Sequence, residues 1–155
     1  MEKTNVMRLL DGQKLPYEAH EYPADPVPSG VEVARMLKQD PTHVFKTLVT
    51  VGASRKYYVF VIPVAEELSL KKAAAAVGEK SIEMLKSKEL LPLTGYIHGG
   101  CSPIGMKKQF KTIVDETILL CDTIVFSAGK VGYQVEMTPE TLAFMIPFTI
   151  SDVTV

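Results

Sequence analysis

The sequence predicts an α+β fold in which a mixed β-sheet core of six or more short strands is surrounded by short helices. Three observations predict it. Short stretches that alternate or run β-branched are interleaved with capped stretches at helical spacing. The interleaving has no regular βαβ rhythm, which argues against a doubly wound parallel sheet. Finally, 155 residues, of which 46% are hydrophobic and 23% charged, suit one globular domain, residues 1–155, with a sizeable core.

Each element has its own signal. Asn5–Leu10 reads as a short helix ended by Gly12, and Pro16–Tyr22 alternates as a strand. Pro23, Pro26 and Pro28 stiffen the following loop. Val31–Lys38 places Val33, Met36 and Leu37 at helical spacing, with Ser29 as its cap and Asp40-Pro41 as its stop. His43–Val51 and Lys56–Ile62 are rich in β-branched and aromatic residues and flank Gly52-Ala53-Ser54-Arg55, a hairpin signature. Ser69 caps a helix over Leu70–Val77, whose alanine run favours helix and which Gly78 ends. Ile82–Leu85 reads as a strand, and Lys88–Leu91 as one helical turn broken by Pro92 and Gly95. After a glycine-rich stretch, Thr94–Gly105, come strands at Lys111–Val114, Thr123–Ser127 and Tyr133–Met137, the last two joined by the turn Ala128–Gly132. Thr138 caps a helix that opens with Pro139 and Glu140, and a strand around Phe148–Val153 closes the chain.

Composition excludes several classes of function. A mean hydropathy of +0.12 without low-complexity runs rules out a disordered or fibrous chain. The longest apolar stretches, Tyr57–Ala65 and Leu142–Ile150, fall far short of the roughly 20 residues of a membrane span. The charged N-terminus offers no signal-peptide core, so the expected location is the cytoplasm. Cys101 and Cys121 form no CxxC pair, and His20, His43 and His98 are far apart, which disfavours zinc. No GxxxxGK[ST], GxSxG, HExxH or dinucleotide spacing is present, so no metal or cofactor is expected.

The formal net charge of −1 opposes bulk attraction to nucleic acid, yet charge is unevenly distributed. Leu68–Lys111 carries eight lysines against three acids, a local sum of +5, whereas Thr112–Val155 sums to −5. That asymmetry suits either a solvated lysine surface or local contacts to an RNA end.

Two places carry candidate chemistry. Gly99-Gly100-Cys101-Ser102-Pro103-Ile104-Gly105 packs glycines around a serine, which suits a tight bend whose N–H groups hold an anion or oxyanion, and equally a tight sheet corner. Lys46 interrupts the apolar run His43–Val49, sharing a strand face with Val44, Leu48 and Thr50. A cation there meets an anion in a semi-apolar cleft, or reaches solvent from an edge strand.

Taken in order, Phe45-Lys46-Thr47-Leu48, Leu70-Lys71-Lys72-Ala73, the Thr94–Gly105 stretch, Lys107-Lys108 and Ser127-Ala128-Gly129-Lys130 resemble the YbaK/EbsC proteins of the prolyl-tRNA editing superfamily over nearly the whole chain. The resemblance implies a barrel-like mixed-sheet domain that acts in trans as an aminoacyl-tRNA deacylase, typically on cysteine misattached to proline tRNA. It makes Lys46 essential, with Gly99 and Gly100 beside it as oxyanion donors, and assigns Tyr22, Cys101, Ser102, Ser127 and Gly129 to substrate binding. The implied partner is the acceptor end of an aminoacyl-tRNA, with room for prolyl-tRNA synthetase and none for DNA or a membrane. Cys101, Ala128 and Gln134 depart from the family pattern and bear on amino-acid specificity. The implied chemistry is attack by the substrate's own thiol on its ester, giving a cyclic thiolactone. The alternatives are water oriented by Ser127 or Tyr22 acting on another small amino acid such as alanine, and a noncatalytic module that binds tRNA or synthetase. His98 and the methionines Met106, Met137 and Met145 read as structural or surface residues and core filler.

Overall fold

The predicted hairpin organises the larger of two sheets in the computed structural model, which describes all 155 residues. Its arms are β2 (Phe45–Gly52) and β3 (Tyr57–Pro63), paired antiparallel from Phe45 opposite Pro63 to Val51 opposite Tyr57. β4 (Ile82–Met84) pairs antiparallel with the end of β2, while β5 (Lys111–Asp115) and β8 (Thr149–Ser151) extend the other side in parallel, giving the order β4-β2-β3-β5-β8. The smaller sheet is antiparallel, with β7 (Tyr133–Met137) between β1 (Glu18–Glu21) and β6 (Ile124–Ser127). The sheets meet at the Val44–Val125 bridge. The α+β architecture is the predicted one, though its two sheets do not close into the barrel that the resemblance implied.

Strand alternation decides what each face of the large sheet covers. Phe45, Val49, Val59, Val61 and Val114 pack against Phe126, Val135 and Met137 of the small sheet and against Val6, Met7 and Leu10 of α1 (Asn5–Gly12), within a cluster of 19 buried residues. Tyr58, Phe60, Ile62 and Ile113 face the other way, onto Ala73 and Ala74 of α3 (Leu70–Val77). Phe60 is fully buried, and truncating it to alanine would cost about 3–5 kcal/mol.

Hydroxyl caps set four of the five helices. Thr4, Ser29, Ser69 and Thr138 accept from the backbone N–H groups of Met7, Glu32, Lys72 and Thr141, starting α1, α2 (Gly30–Met36), α3 and α5 (Pro139–Met145). The fourth helix differs from its prediction: α4 runs Ser87–Thr94 straight through Pro92. Proline forfeits a bond to the exposed Lys88, where water can replace it, while Leu90 and Leu93 hold the helix on the core. Gly95 ends it in the left-handed region. Two 3-10 turns, Pro41–His43 and Glu116–Leu120, have no counterpart in the sequence reading.

One asymmetry of this fold positions the site. β4 contacts β2 only at Thr50, Val51 and Gly52. The Leu85 N–H just beyond β4 still donates to the Val49 carbonyl at 3.1 Å, and between there and the Val44 bridge Phe45–Leu48 has a strand partner on one side only, with a cleft on the other.

Candidate active site

The cleft has a volume of about 860 Å³. Its floor is the open edge of β2, one wall is α2 with the preceding proline-rich loop, and the other is β4–α4 through Met84, Leu85, Ser87 and Leu90. His98, Gly99 and Cys101 of the glycine-rich stretch, with Tyr22, Ser127 and Gln134 of the small sheet, complete it. Five predicted site residues, Tyr22, Lys46, Gly99, Cys101 and Ser127, therefore share one cavity although they span more than a hundred positions in sequence. Register explains part of this: Gln134 lies opposite both His20 of β1 and Ser127 of β6, so one row of the small sheet faces the cleft.

Lys46 lies opposite Ile62 in the hairpin and is half-buried. It takes part in none of the molecule's five ion pairs. Burial pulls its ammonium below the usual lysine range, against the attraction of Glu67 and Glu66. A cation held in this way is a ready partner for an anion or a developing negative charge. Thr47, beside it, buries Oγ1 without any hydrogen-bond partner in the same cleft. Gln39 Nε2 donates to Gln134 Oε1 at 2.8 Å, and Gln39 Oε1 is likewise buried and unpartnered. The orphaned Thr47 hydroxyl at the cavity wall is unspent bonding capacity.

The remaining predicted residues stand behind this surface. Gly100 is buried, and its N–H donates to the Ile97 carbonyl at 3.0 Å. That N–H is thus spent within the loop, whereas the resemblance implied that it receives the oxyanion. A Cβ at Gly100 would come within 3.1 Å of the Val131 nitrogen, so this glycine lets the loop seat on the Ala128–Gly132 turn. Gly99, in contrast, has φ +86° and lines the cleft, and neither its N–H nor that of Cys101 is spent on a backbone bond. Ser102 is fully buried and accepts from the Ile104 N–H at 3.3 Å, which makes it part of the loop's scaffold. Gly129 donates to Ser127 Oγ at 3.1 Å, which orients that hydroxyl from behind.

The thiol of Cys101 is pushed up to about 12 by burial, so it is a neutral lining group rather than a thiolate nucleophile. His98, read from sequence as structural or surface, is exposed on the cleft lining. Glu18, His20 and Glu136 cluster on the adjoining sheet face with ligand atoms within 4.8 Å of one another. His20 Nε2 is 2.8 Å from Glu136 Oε1, and Thr123 donates to the other oxygen. Burial alone would raise the Glu136 carboxyl, but the bonds from Thr123 and His20 hold it below the ordinary range. Gln39 and the α2 and α4 walls were not legible in the sequence, because only long-range packing brings them to Lys46.

Known proteins resemble this chain in sequence and in fold. Residues 24–144 match the model of the aminoacyl-tRNA editing domain. The chain is 44% identical over 154 residues, covering 99% of itself and 94% of the relative, to a protein of Enterococcus faecalis named "Putative Cys-tRNA(Pro)/Cys-tRNA(Cys) deacylase EbsC". It is 26% identical over 103 residues, 66% of this chain, to 18% of the length of a proline–tRNA ligase of Lactobacillus gasseri. A crystal structure described as a "putative trans-editing enzyme for prolyl tRNA synthetase" superposes with a TM-score of 0.85 at 23% identity, covering 99% of each chain, which shows a shared fold. No helix is long and apolar enough to cross a membrane. With four fifths of its length inside the domain model and a relative at 44% identity end to end, the chain belongs to the aminoacyl-tRNA editing domain family.

Proposed function

We propose that this protein is an aminoacyl-tRNA deacylase whose cleft receives the acylated 3′ end of a tRNA, with cysteine on proline tRNA as its substrate, and that residues 1–155 work as one editing domain. The observation that carries the reading is the unpaired, half-buried Lys46 in the same cleft as a glycine loop with unspent N–H groups. An aminoacyl ester has an activated carbonyl, so the enzyme's task is to position a nucleophile and stabilise the tetrahedral oxyanion. Gly99 and Cys101 N–H groups serve the oxyanion, and Lys46 neutralises the terminal phosphate or the ester oxygen.

No group in the cleft is set up as a protein nucleophile. Cys101 is protonated at neutral pH, and Ser102 is buried in the loop scaffold. The nucleophile in this reading is the substrate's thiol: its sulfur bonds to the ester carbonyl, the carbonyl–oxygen bond to ribose breaks, and the thiol proton ends on the released ribose hydroxyl. The product is a cyclic thiolactone that water later opens. The largely buried Cys101 and Gln134, which Gln39 bonds at 2.8 Å, border the space for the amino acid. The similarity to parts of proline–tRNA ligases supports prolyl-tRNA synthetase as a working partner.

The test is release of amino acid from cysteinyl- and alanyl-tRNA bearing the proline anticodon. The reading predicts cysteine release at least about tenfold faster than alanine release, since alanine has no nucleophile of its own. Equal rates would favour water as nucleophile and a broader specificity. Tight tRNA binding with no release of either would instead support a noncatalytic module.

A further inference from the structure

Unpaired lysines are concentrated on one side of the cleft, and we infer that the phosphates of the acceptor stem lie along the β4–α4 wall, on Lys86, Lys88, Lys107 and Lys108. This inference rests on the deacylase reading of the cleft and adds the direction from which the RNA enters. Lys86 and Lys88 interleave with the lining residues Leu85, Ser87 and Leu90. Lys107 packs over Gly95 at the other end of α4, where its N–H bonds the Thr94 carbonyl at 3.0 Å and its ammonium lies 3.4 Å from the Pro92 carbonyl. Lys108 follows it. All four are exposed and none is in an ion pair. Across the cleft, α2 carries the lining Glu32 offset by Arg35 one turn on, and the exposed Asp25, Glu66 and Glu67 of the neighbouring loops leave that side net acidic, which disfavours a phosphate backbone there.

Folding also treats the basic segment of the sequence as two separate regions. Lys72 of α3 is held by Asp152 at 2.9 Å and by the Thr154 carbonyl at 2.8 Å, so its charge is already spent. The α4 lysines have no such counter-charge. α4 is moreover the one helix without a side-chain cap, starting on Lys86 with Lys88 in its first turn, and Glu89 alone offsets the positive end of the helix dipole. Placing lysines where a helix would prefer Ser, Asp or Glu is a local conflict of the kind expected at a functional surface.

The experiment compares a lysine-to-glutamine variant at all four positions (Lys86→Gln, Lys88→Gln, Lys107→Gln and Lys108→Gln) with the native protein. Each is given whole cysteinyl-tRNA and a cysteinylated CCA fragment that fills only the cleft. On whole tRNA the variant should lose at least about tenfold in kcat/KM, and its log–log salt dependence should become shallower by roughly 0.7–0.9 per phosphate contact removed. On the fragment it should match native protein. A control variant lacking Lys14, Lys38 and Lys71, exposed but outside this wall, should behave as native on both. Native rates and salt slope on whole tRNA would overturn the inference, as would an equal loss on both substrates. If native protein deacylates neither substrate, the deacylase reading fails. The binding arm then decides the inference separately. A fluorescent RNA minihelix without an attached amino acid, bound about tenfold more weakly by the variant, upholds the basic wall, and equal binding refutes it.

Discussion

The two halves of β2 obey different rules. Thr50–Gly52 is paired on both edges, to β3 and to β4, and Thr50 is fully buried with its hydroxyl donating to the Tyr58 carbonyl at 3.0 Å. Phe45–Leu48 is paired on one edge, and there Thr47 buries a hydroxyl with no partner while Lys46 keeps an ammonium half-buried and unpaired. The first half satisfies every polar group that the sheet buries. The second leaves bonding capacity facing a cavity, which costs stability and makes sense only if a ligand completes it.

The largest expected difference between the halves is in rate. Lys46→Ala should slow release of cysteine from cysteinyl-tRNA by at least about a hundredfold, the scale of removing one oxyanion-stabilising group. Thr50→Val should leave the rate within about twofold, because its bond is structural. A loss of activity in Thr50→Val as large as in Lys46→Ala would erase the distinction.

Next comes stability, with the same substitution in each half. Thr50→Val removes a buried hydrogen bond and should cost about 1 kcal/mol, lowering Tm by ~2–4 °C. Thr47→Val removes a hydroxyl that bonds to nothing in the protein and should leave Tm unchanged or higher. Thermal melts of the two variants at one pH check the pair.

A pH series separates the satisfied carboxylate from the unsatisfied ammonium. Glu136 is held below its ordinary 4.5, so the folded state favours its ionised form. Its contribution is present above that value and is lost as pH falls through the lower, folded value. Glu136→Gln should therefore flatten the acid limb of the stability curve. The lowered ammonium of Lys46 gives a slope of the same sign in an alkaline window, here because burial disfavours its charged form: the folded state sheds its proton first, so stability rises as pH climbs from the folded value toward 10.5. Lys46→Met should remove that rise. Unaltered acid and alkaline limbs in the two variants would contradict the environments described for these groups.

The smallest effect is expected at Cys101. With its thiol protonated up to about 12, Cys101→Ala should change the rate by less than about threefold through reshaped lining alone. A loss as large as that of Lys46→Ala would make it a nucleophile.

How much of this was legible in the sequence depended on range. Ser69, Gly78 and the Gly52–Arg55 turn act on neighbours a few residues away, and α3 and the hairpin form where those signals stand. Pro92 misled, because a proline's cost depends on whether water can reach the carbonyl it abandons, and that is decided by packing. Leu119 and Leu120 lie exposed in the 3-10 turn Glu116–Leu120, with no periodicity to betray it. The parallel pairing of β3, β5 and β8 is a property of topology and leaves no local mark. In the site, Lys46 stood out as a charge in an apolar run and Gly99 as part of a dense glycine loop. Gln39 did not, since an ordinary polar residue at a helix end gains meaning only when the fold sets it 2.8 Å from Gln134.

On the proposed function, the open half of β2 sacrifices stability to keep an unpaired cation in the substrate cleft. Measuring cysteine release and Tm together on Lys46→Met tests it most directly. Release should slow by about a hundredfold or more while Tm stays equal to or above that of native protein. Native release, or a fall in Tm that accounts for the lost activity, would contradict it.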